Sequence, residues 1–308
     1  MTDEAIKGAS PHPEGARRAV SKDGPDGSGA STNILRDAAP DGAAPQDEGS
    51  GKSPIFCEDR ALGYRRSLTD FSQPLELDDS YRLAHLPLVA PEHPRVIARR
   101  DGKFYEMGRH PRVFSLVLPV ADAALRASPA FLALEGELRS SPFARKIAWE
   151  ILPRRRDRLH ATICGSLGID EPPAIAQATH DALGEIEPFA VELRGLFSGN
   201  VNRGRLYLAA YPEIHGGTNM LQAVQAAFGR PPGDLWLVGL YNLTDDLDAA
   251  ETSALAEIVA RWWNEPLLRF TATELQLMAA GDDLVLDGSV EATLPLGTAR
   301  GGARLPRP

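Results

Sequence analysis

The sequence predicts an α+β domain over residues 109–297, built from short strands interrupted by helices. Three observations lead there. Apolar runs of strand length recur from Val113 onward, stretches with apolar residues three and four apart fall between them, and the two patterns do not alternate strictly. Composition agrees with a folded chain: 43% of the 308 residues are hydrophobic and 24% charged, the balance of ordinary globular proteins.

The chain opens on a segment that does not fit that pattern. Residues 1–55 are crowded with Gly, Pro, Ser, Asp and Ala, and the first aromatic residue is Phe56. Such a stretch buries too little apolar surface to offset its ordering entropy, so a disordered tail is expected. Within it, Gly49-Ser50-Gly51-Lys52-Ser53 imitates the end of a phosphate-binding loop. The motif needs glycine at position 46, where Gln46 stands, and a helix where Pro54 follows. Residues 56–108 read as an extension packed on the main domain. It contains a hairpin over Arg95–Met107 that turns at Asp101-Gly102.

The elements of the domain then follow in order. Val113–Val120 (VFSLVLPV) is a short buried strand, and Pro129–Ile151 has helical spacing through Phe131, Leu134, Leu138 and Ile147. Leu159–Cys164 is a strand, 174–184 a helix, and Phe189–Leu196 and Arg205–Tyr211 are strands. A helix over 219–228 is capped by Thr218 or Asn219. Leu235–Thr244 (LWLVGLYNLT) is the next strand. Asp246 opens a helix over 248–263 with Leu255, Ile258, Val259 and Trp262 on one face. Strands Phe270–Ala279 and Leu284–Leu296, joined through Gly281-Asp282-Asp283, close the domain. Residues 298–308 are expected to be a flexible end.

Several classes of function are excluded on composition. No run approaches the roughly 18 to 20 apolar residues of a membrane span, so no membrane partner is expected. The start has no basic region followed by an apolar one, hence no visible secretory signal. Two cysteines, Cys57 and Cys164, make neither a disulfide framework nor a cysteine-built zinc site, which fits a reducing cytoplasm. The net charge of −9 argues against gripping long nucleic acid through its phosphates. A small anion in a locally positive cleft is compatible with it.

Among the seven histidines, His160 has the most informative surroundings. In Leu159-His160-Ala161-Thr162-Ile163-Cys164, residues two apart share a strand face, so an imidazole and a hydroxyl point into the same space. The first exchanges a proton near neutral pH and the second donates to a phosphate oxygen. His180-Asp181 suggests a metal pair, but no further ligands stand at helical spacing. There is no HExxH, no GxSxG and no GxGxxG after a strand, and Asp246-Leu247-Asp248 lacks the rest of a calcium loop. No metal and no cofactor are expected.

The order of pieces around His160 is more specific than any one of them. An opening strand FSLVLPV is followed by Trp149, by His160-Ala161-Thr162, and by Pro188-Phe189 through Gly195-Leu196-Phe197. Strand Arg205–Tyr211, a helix and a strand ending in Asn242-Leu243-Thr244 complete it. From Val113 to Leu296 the chain therefore resembles the two-histidine (2H) phosphoesterase superfamily, which includes RNA 2′,3′-cyclic phosphodiesterases first described as 2′-5′ RNA ligases. The resemblance implies a two-lobed, pseudo-symmetric domain with antiparallel sheets and flanking helices. Each lobe of such a domain supplies one His-x-Thr/Ser on an inner strand. One histidine serves as general base toward water, the other as general acid toward the departing ribose oxygen, and the hydroxyls bind phosphate. By that correspondence His160 is catalytic, Thr162 and Thr244 bind phosphate, and Asn242 stands where the second histidine belongs.

Asparagine donates a hydrogen bond but moves no proton at neutral pH. Loss of a general acid or base forfeits about 10² to 10⁴ in rate. His215, in a glycine-containing loop before a helix start, is a candidate second proton carrier. Two readings follow. One is a phosphodiesterase-like hydrolase acting on a 2′,3′-cyclic phosphate of a nucleotide or RNA end, metal-independent and with one histidine retained. The other is a catalytically degenerate module that binds a nucleotide or phosphorylated metabolite. In both, the partner is a small phosphorylated ligand or a short RNA end.

Overall fold

Residues 53–64, 71–198 and 203–298 are described by the computed structural model. The tail expected over 1–55 and the flexible end expected over 298–308 lie outside the described residues, apart from 53–55 and 298.

Eight strands form one sheet. They are β1 (Arg109–Pro119), β2 (His160–Ile169), β3 (Phe189–Ser198), β4 (Arg205–Pro212), β7 (Leu237–Asn242), β8 (Pro266–Ala272), β9 (Glu274–Asp282) and β10 (Ser289–Pro295). Two-residue strands β5 (Ile214–His215) and β6 (Thr218–Asn219) make a separate small hairpin. The order across the large sheet is β10-β9-β1-β2-β7-β4-β3-β8, and every pairing is antiparallel. The fold is thus α+β, as the sequence predicts.

One connection dictates the sheet's shape. A single residue, Thr273, joins β8 at one edge to β9, one strand in from the other edge. Laid flat, those strands would stand about 29 Å apart at roughly 4.8 Å per strand. The sheet must therefore curl strongly until they meet, and Leu118 of β1 and Phe270 of β8 indeed line one cavity of about 650 Å³.

Helices pack on the sheet where sequence and caps put them. In α4 (Pro129–Ser140), Ser128 caps the Phe131 amide, proline occupies the first turn, and Phe131, Leu134 and Leu138 are buried. In α7 (Ala249–Trp262), Asp248 and Glu251 form a reciprocal capping box, and Leu255, Ile258 and Val259 are buried. Asn219 caps α6 (Met220–Ala227), and α5 (Gln177–Glu185) and α3 (Asp122–Ala127) complete the domain.

Several boundaries differ from expectation; the strand expected over Leu284–Leu296, for one, begins only at Ser289 after a turn. The helical spacing of Pro129–Ile151 ends at Ser140, because Ser141-Pro142 cannot continue the helix, and short 3-10 turns carry the chain to His160. The run read as one strand over Phe270–Ala279 is two strands in distant places, broken at Thr273. The strand expected to reach Thr244 stops at Asn242.

The extension is more structured than its composition suggested. It carries α1 (Asp79–Ala84) and α2 (Leu86–Val89), with Asp78 capping the Tyr81 amide. The Arg95–Met107 hairpin contracts to one bridge, Arg99 to Glu106, around Gly102 at a positive φ of 71°. Leu75, Leu77, Tyr81, Leu86 and Val89 all join the main core, the aliphatic ones at roughly 1.5–3 kcal/mol of burial each. All eight residues of β4 are buried, which requires cover on both faces. Part of that cover is the extension: Cys57 N–H donates to Pro212 O at 2.9 Å and the Tyr64 hydroxyl to Ala210 O at 2.6 Å.

Candidate functional site

His160 opens β2 at the centre of the sheet, beside β7. Ala161 lies opposite Val238, so His160 and Thr162, the neighbours of Ala161, share the other face, to which Gly239 also belongs. Along β4 and β7 the partners are Leu208 with Val238, Tyr207 with Gly239, Leu206 with Tyr241 and Arg205 with Asn242. Leu240 is therefore one extra residue, a bulge. Without it Asn242 would follow Val238 onto the far face; with it, Asn242 and Arg205 return to the face of His160, Thr162, Gly239 and Tyr207. Tyr241 goes to the other side, fully buried and edge-on to Trp149 with centroids 5.5 Å apart.

On that face the site divides into an open half and a covered half. His160 and Thr162 are half-buried. The His160 Nδ1 lies 2.7 Å from Arg158 O. A carbonyl only accepts, so Nδ1 carries the proton and Nε2 is the basic nitrogen of the neutral ring. Asn242 is 0% exposed and neither polar side-chain atom makes a hydrogen bond of ordinary geometry. The hydroxyl of Tyr81, from the extension, lies against it while donating to Leu243 O at 2.6 Å. Burial raises the pKa of Tyr81, which stays a neutral donor.

Two buried arginines stand between the halves. Arg205 is 7% exposed, and an added Cβ on Gly239 would fall only 2.1 Å from one of its guanidinium nitrogens, so the guanidinium lies flat on that glycine. Its Nη1 is 3.3 Å from Nε2 of His85, whose ring stacks on Tyr81 with centroids 5.1 Å apart. Arg155 is 2% exposed and donates to Gly239 O at 2.7 Å and Leu240 O at 3.2 Å. Burial, with the charge of Arg205, lowers the pKa of Arg155 to about 9, against a weaker pull from Asp282.

Beyond His85 lies Asp283, which accepts from the Tyr105 hydroxyl at 2.9 Å and faces Nε2 of His110 at 3.2 Å. Burial alone would lower the pKa of His110; the hydrogen bond and charge of Asp283 outweigh it, and the net shift is upward.

The remaining residues singled out in the sequence stand elsewhere. Thr244 lies two residues past β7, where its hydroxyl and its amide both donate to Lys146 O, at 3.2 and 2.8 Å. It lines a separate cavity of about 490 Å³ with His93, Arg145, Lys146 and Asp245. His215 sits in the β5–β6 hairpin with Nε2 3.0 Å from Glu213. That hairpin follows Pro212, about 23 Å along β4 from Arg205 at strand rise. His180 is on α5. Of the five site residues, then, His160, Thr162 and Asn242 share a face, and Thr244 and His215 do not reach it. No group of three or more His, Cys, Asp or Glu among the described residues is placed to hold a metal ion.

Sequence reasoning passed over Arg155, Arg205, Gly239, Tyr81 and His85. A signal existed for one of them: an isolated glycine inside the strand LWLVGLYNLT marks a bulge or a close approach, and Gly239 is at both.

No family model matches the chain, and no curated protein matches it. Among solved structures it is similar to TT0787 of Thermus thermophilus, with a TM-score of 0.34 and 16% identity. The likeness covers 60% of this chain and 98% of that one. Among the described residues, no helix is long and apolar enough to cross a membrane.

Proposed function

We propose that this chain binds a small phosphorylated ligand at the His160–Thr162 face, in a two-lobed 2H phosphoesterase-like domain whose second half has lost its proton chemistry. The observation that carries the reading is the burial of Asn242 beneath Tyr81. Supporting it, the motif strands β2 and β7 sit side by side at the sheet's centre. Each is preceded by its outer neighbour, β1 or β4, through a helix-bearing connection.

Cyclic phosphodiester hydrolysis needs one group to take a proton from water and another to give one to the leaving ribose oxygen. On this face His160 is a half-buried titratable side chain, and Asn242 neither titrates nor reaches solvent. Any turnover therefore rests on His160 alone. The tautomer at His160 favours a second reading, a one-histidine phosphodiesterase with Nε2 as general base.

Hydrolysis of 2′,3′-cyclic nucleotides by the wild type and His160→Ala, alongside melting curves with 2′- and 3′-nucleotide monophosphates, separates the two. The binding reading expects a raised melting temperature and no turnover. Turnover that dies with His160 would replace it by the one-histidine enzyme. Neither signal would refute both.

A further inference from the structure

Arg155 and Arg205 are buried, mutually repelling, and within 4 Å of no carboxylate among the described residues; the Nε of each has no hydrogen-bond partner. Several surface arginines have a carboxylate partner, as Arg109 has Asp287 and Arg112 has Glu291. A buried charge without a counter-ion is strongly unfavourable, and proteins do not keep two together without return. Nearby Asp282 does not supply it. Its Oδ1 is committed to the amides of Leu284 and Leu286, both at 3.0 Å, and its pull on Arg155 is weaker than the repulsion from Arg205.

The backbone is shaped around this pair. Gly239 leaves room for the Arg205 guanidinium, which any side chain would evict. The Arg155 side chain is anchored by the carbonyls of the same bulge, Gly239 O and Leu240 O. Continuing the Ala161–Val238 register by one residue places His160 opposite Gly239, so the imidazole and the Arg205 guanidinium are neighbours on one face. The half-buried His160–Thr162 edge flanks this pair on one side, and His85 and Tyr81 from the extension cover it on the other.

We infer that Arg205, cradled on Gly239 and backed by Arg155, is an anion subsite opening beside His160 and Thr162, and that it takes a phosphomonoester dianion rather than a cyclic phosphodiester. The inference rests on the reading of that face as a phosphate-handling cleft and names its ligand class. Two guanidinium charges match a terminal phosphate of charge between about −1.5 and −2 near neutral pH, whereas a cyclic phosphodiester carries one. Guanidinium and phosphate also pair through two parallel hydrogen bonds. Thr162 adds a neutral donor at the open edge.

Titration calorimetry of the whole chain with inorganic phosphate, 3′-AMP and 2′,3′-cyclic AMP, against chloride at equal ionic strength, tests it. Saturable binding of phosphate and 3′-AMP, each at least tenfold tighter than the cyclic nucleotide, is expected. Arg205→Met should weaken both by about tenfold or more, the effect of one lost charge-assisted bond. Gly239→Ala, which keeps the charge and displaces it, should do the same. Circular dichroism reports whether each variant folds, and the charge-neutral Arg205→Met decides if Gly239→Ala does not. No saturable phosphate binding by the wild type overturns the inference, as does undiminished binding by a folded Arg205→Met, or a preference for the cyclic compound. The two proposals fail separately. Phosphate and 3′-AMP binding both lost in Arg205→Met, with 3′-AMP no tighter than phosphate itself, sinks the nucleotide reading and keeps the subsite. A nucleotide response indifferent to Arg205 does the reverse.

Discussion

Placing a histidine at position 242, where the proposed resemblance would have one, is the sharpest perturbation of the covered half. By analogy with a two-histidine mechanism, Asn242→His would return a general acid worth about 10² to 10⁴ in rate. The geometry predicts otherwise. Asn242 is fully buried, the Tyr81 hydroxyl lies against its amide, and Arg205 is its partner across β4 and β7. A larger ring must push Tyr81 aside or distort the strand pair, an overpacking that costs about 1–3 kcal/mol. At about 2–4 °C per kcal/mol for a domain of this size, the melting temperature should fall by ~2–12 °C. The new imidazole would also sit beside a buried guanidinium, which disfavours its protonated form and so its use as an acid. Cyclic-nucleotide turnover by Asn242→His should therefore stay within about tenfold of wild type, well short of that 10² to 10⁴, while calorimetry records the loss of stability. A gain of two orders of magnitude at an unchanged melting temperature would refute the reasoning, because position 242 would then be reaching ligand.

Two further outcomes are expected. Tyr81→Phe removes the donor to Leu243 O and leaves that buried carbonyl unsatisfied, which should lower stability by about 1–3 kcal/mol in urea unfolding; an indistinguishable midpoint would mean the extension does not seat as described. The upward shift of His110 fixes the sign of a pH effect. With a folded pKa above its usual 6.5, the pairing with Asp283 contributes fully below about 6.5 and is lost as pH rises through the folded value. Stability should therefore drop as pH rises above about 6.5, and His110→Gln should flatten that slope; an unchanged slope in the variant would assign it to other groups.

Local chemistry made much of the fold legible. The helical spacing marks α4 and α7, although α7 is capped by Asp248 with Glu251 and not opened by Asp246, and uninterrupted apolar runs mark β4 and β7. What stayed hidden depends on distant pairing. Nothing local shows that Thr273 separates strands from opposite sides of the sheet, since Phe270–Ala279 has the composition of one strand. Arg155 sits in the run Arg154-Arg155-Arg156, which reads as a solvated face, yet its middle member is buried against the carbonyls of Gly239 and Leu240. His160 and Thr162 were legible because strand alternation alone puts them together. The place of Asn242 depends on a bulge at Leu240 that shows only in its register with β4.

The asparagine and the extension fit one another physically. Under Tyr81 and beside Arg205, a histidine at 242 would be desolvated next to a cation, with its charged form disfavoured. Asparagine is smaller and neutral at every pH, so it fills that space without adding to the charge already buried in Arg155 and Arg205. Tyr81 and His85, themselves buried and stacked on each other, close this half of the face. The open half follows the opposite logic: His160 keeps Nδ1 on a carbonyl and a basic Nε2 toward the half-exposed face, beside the guanidinium on Gly239. A phosphate entering there meets positive charge and one titratable nitrogen. On the proposed reading, that arrangement holds the anion and supplies at most half of the proton traffic that its hydrolysis requires.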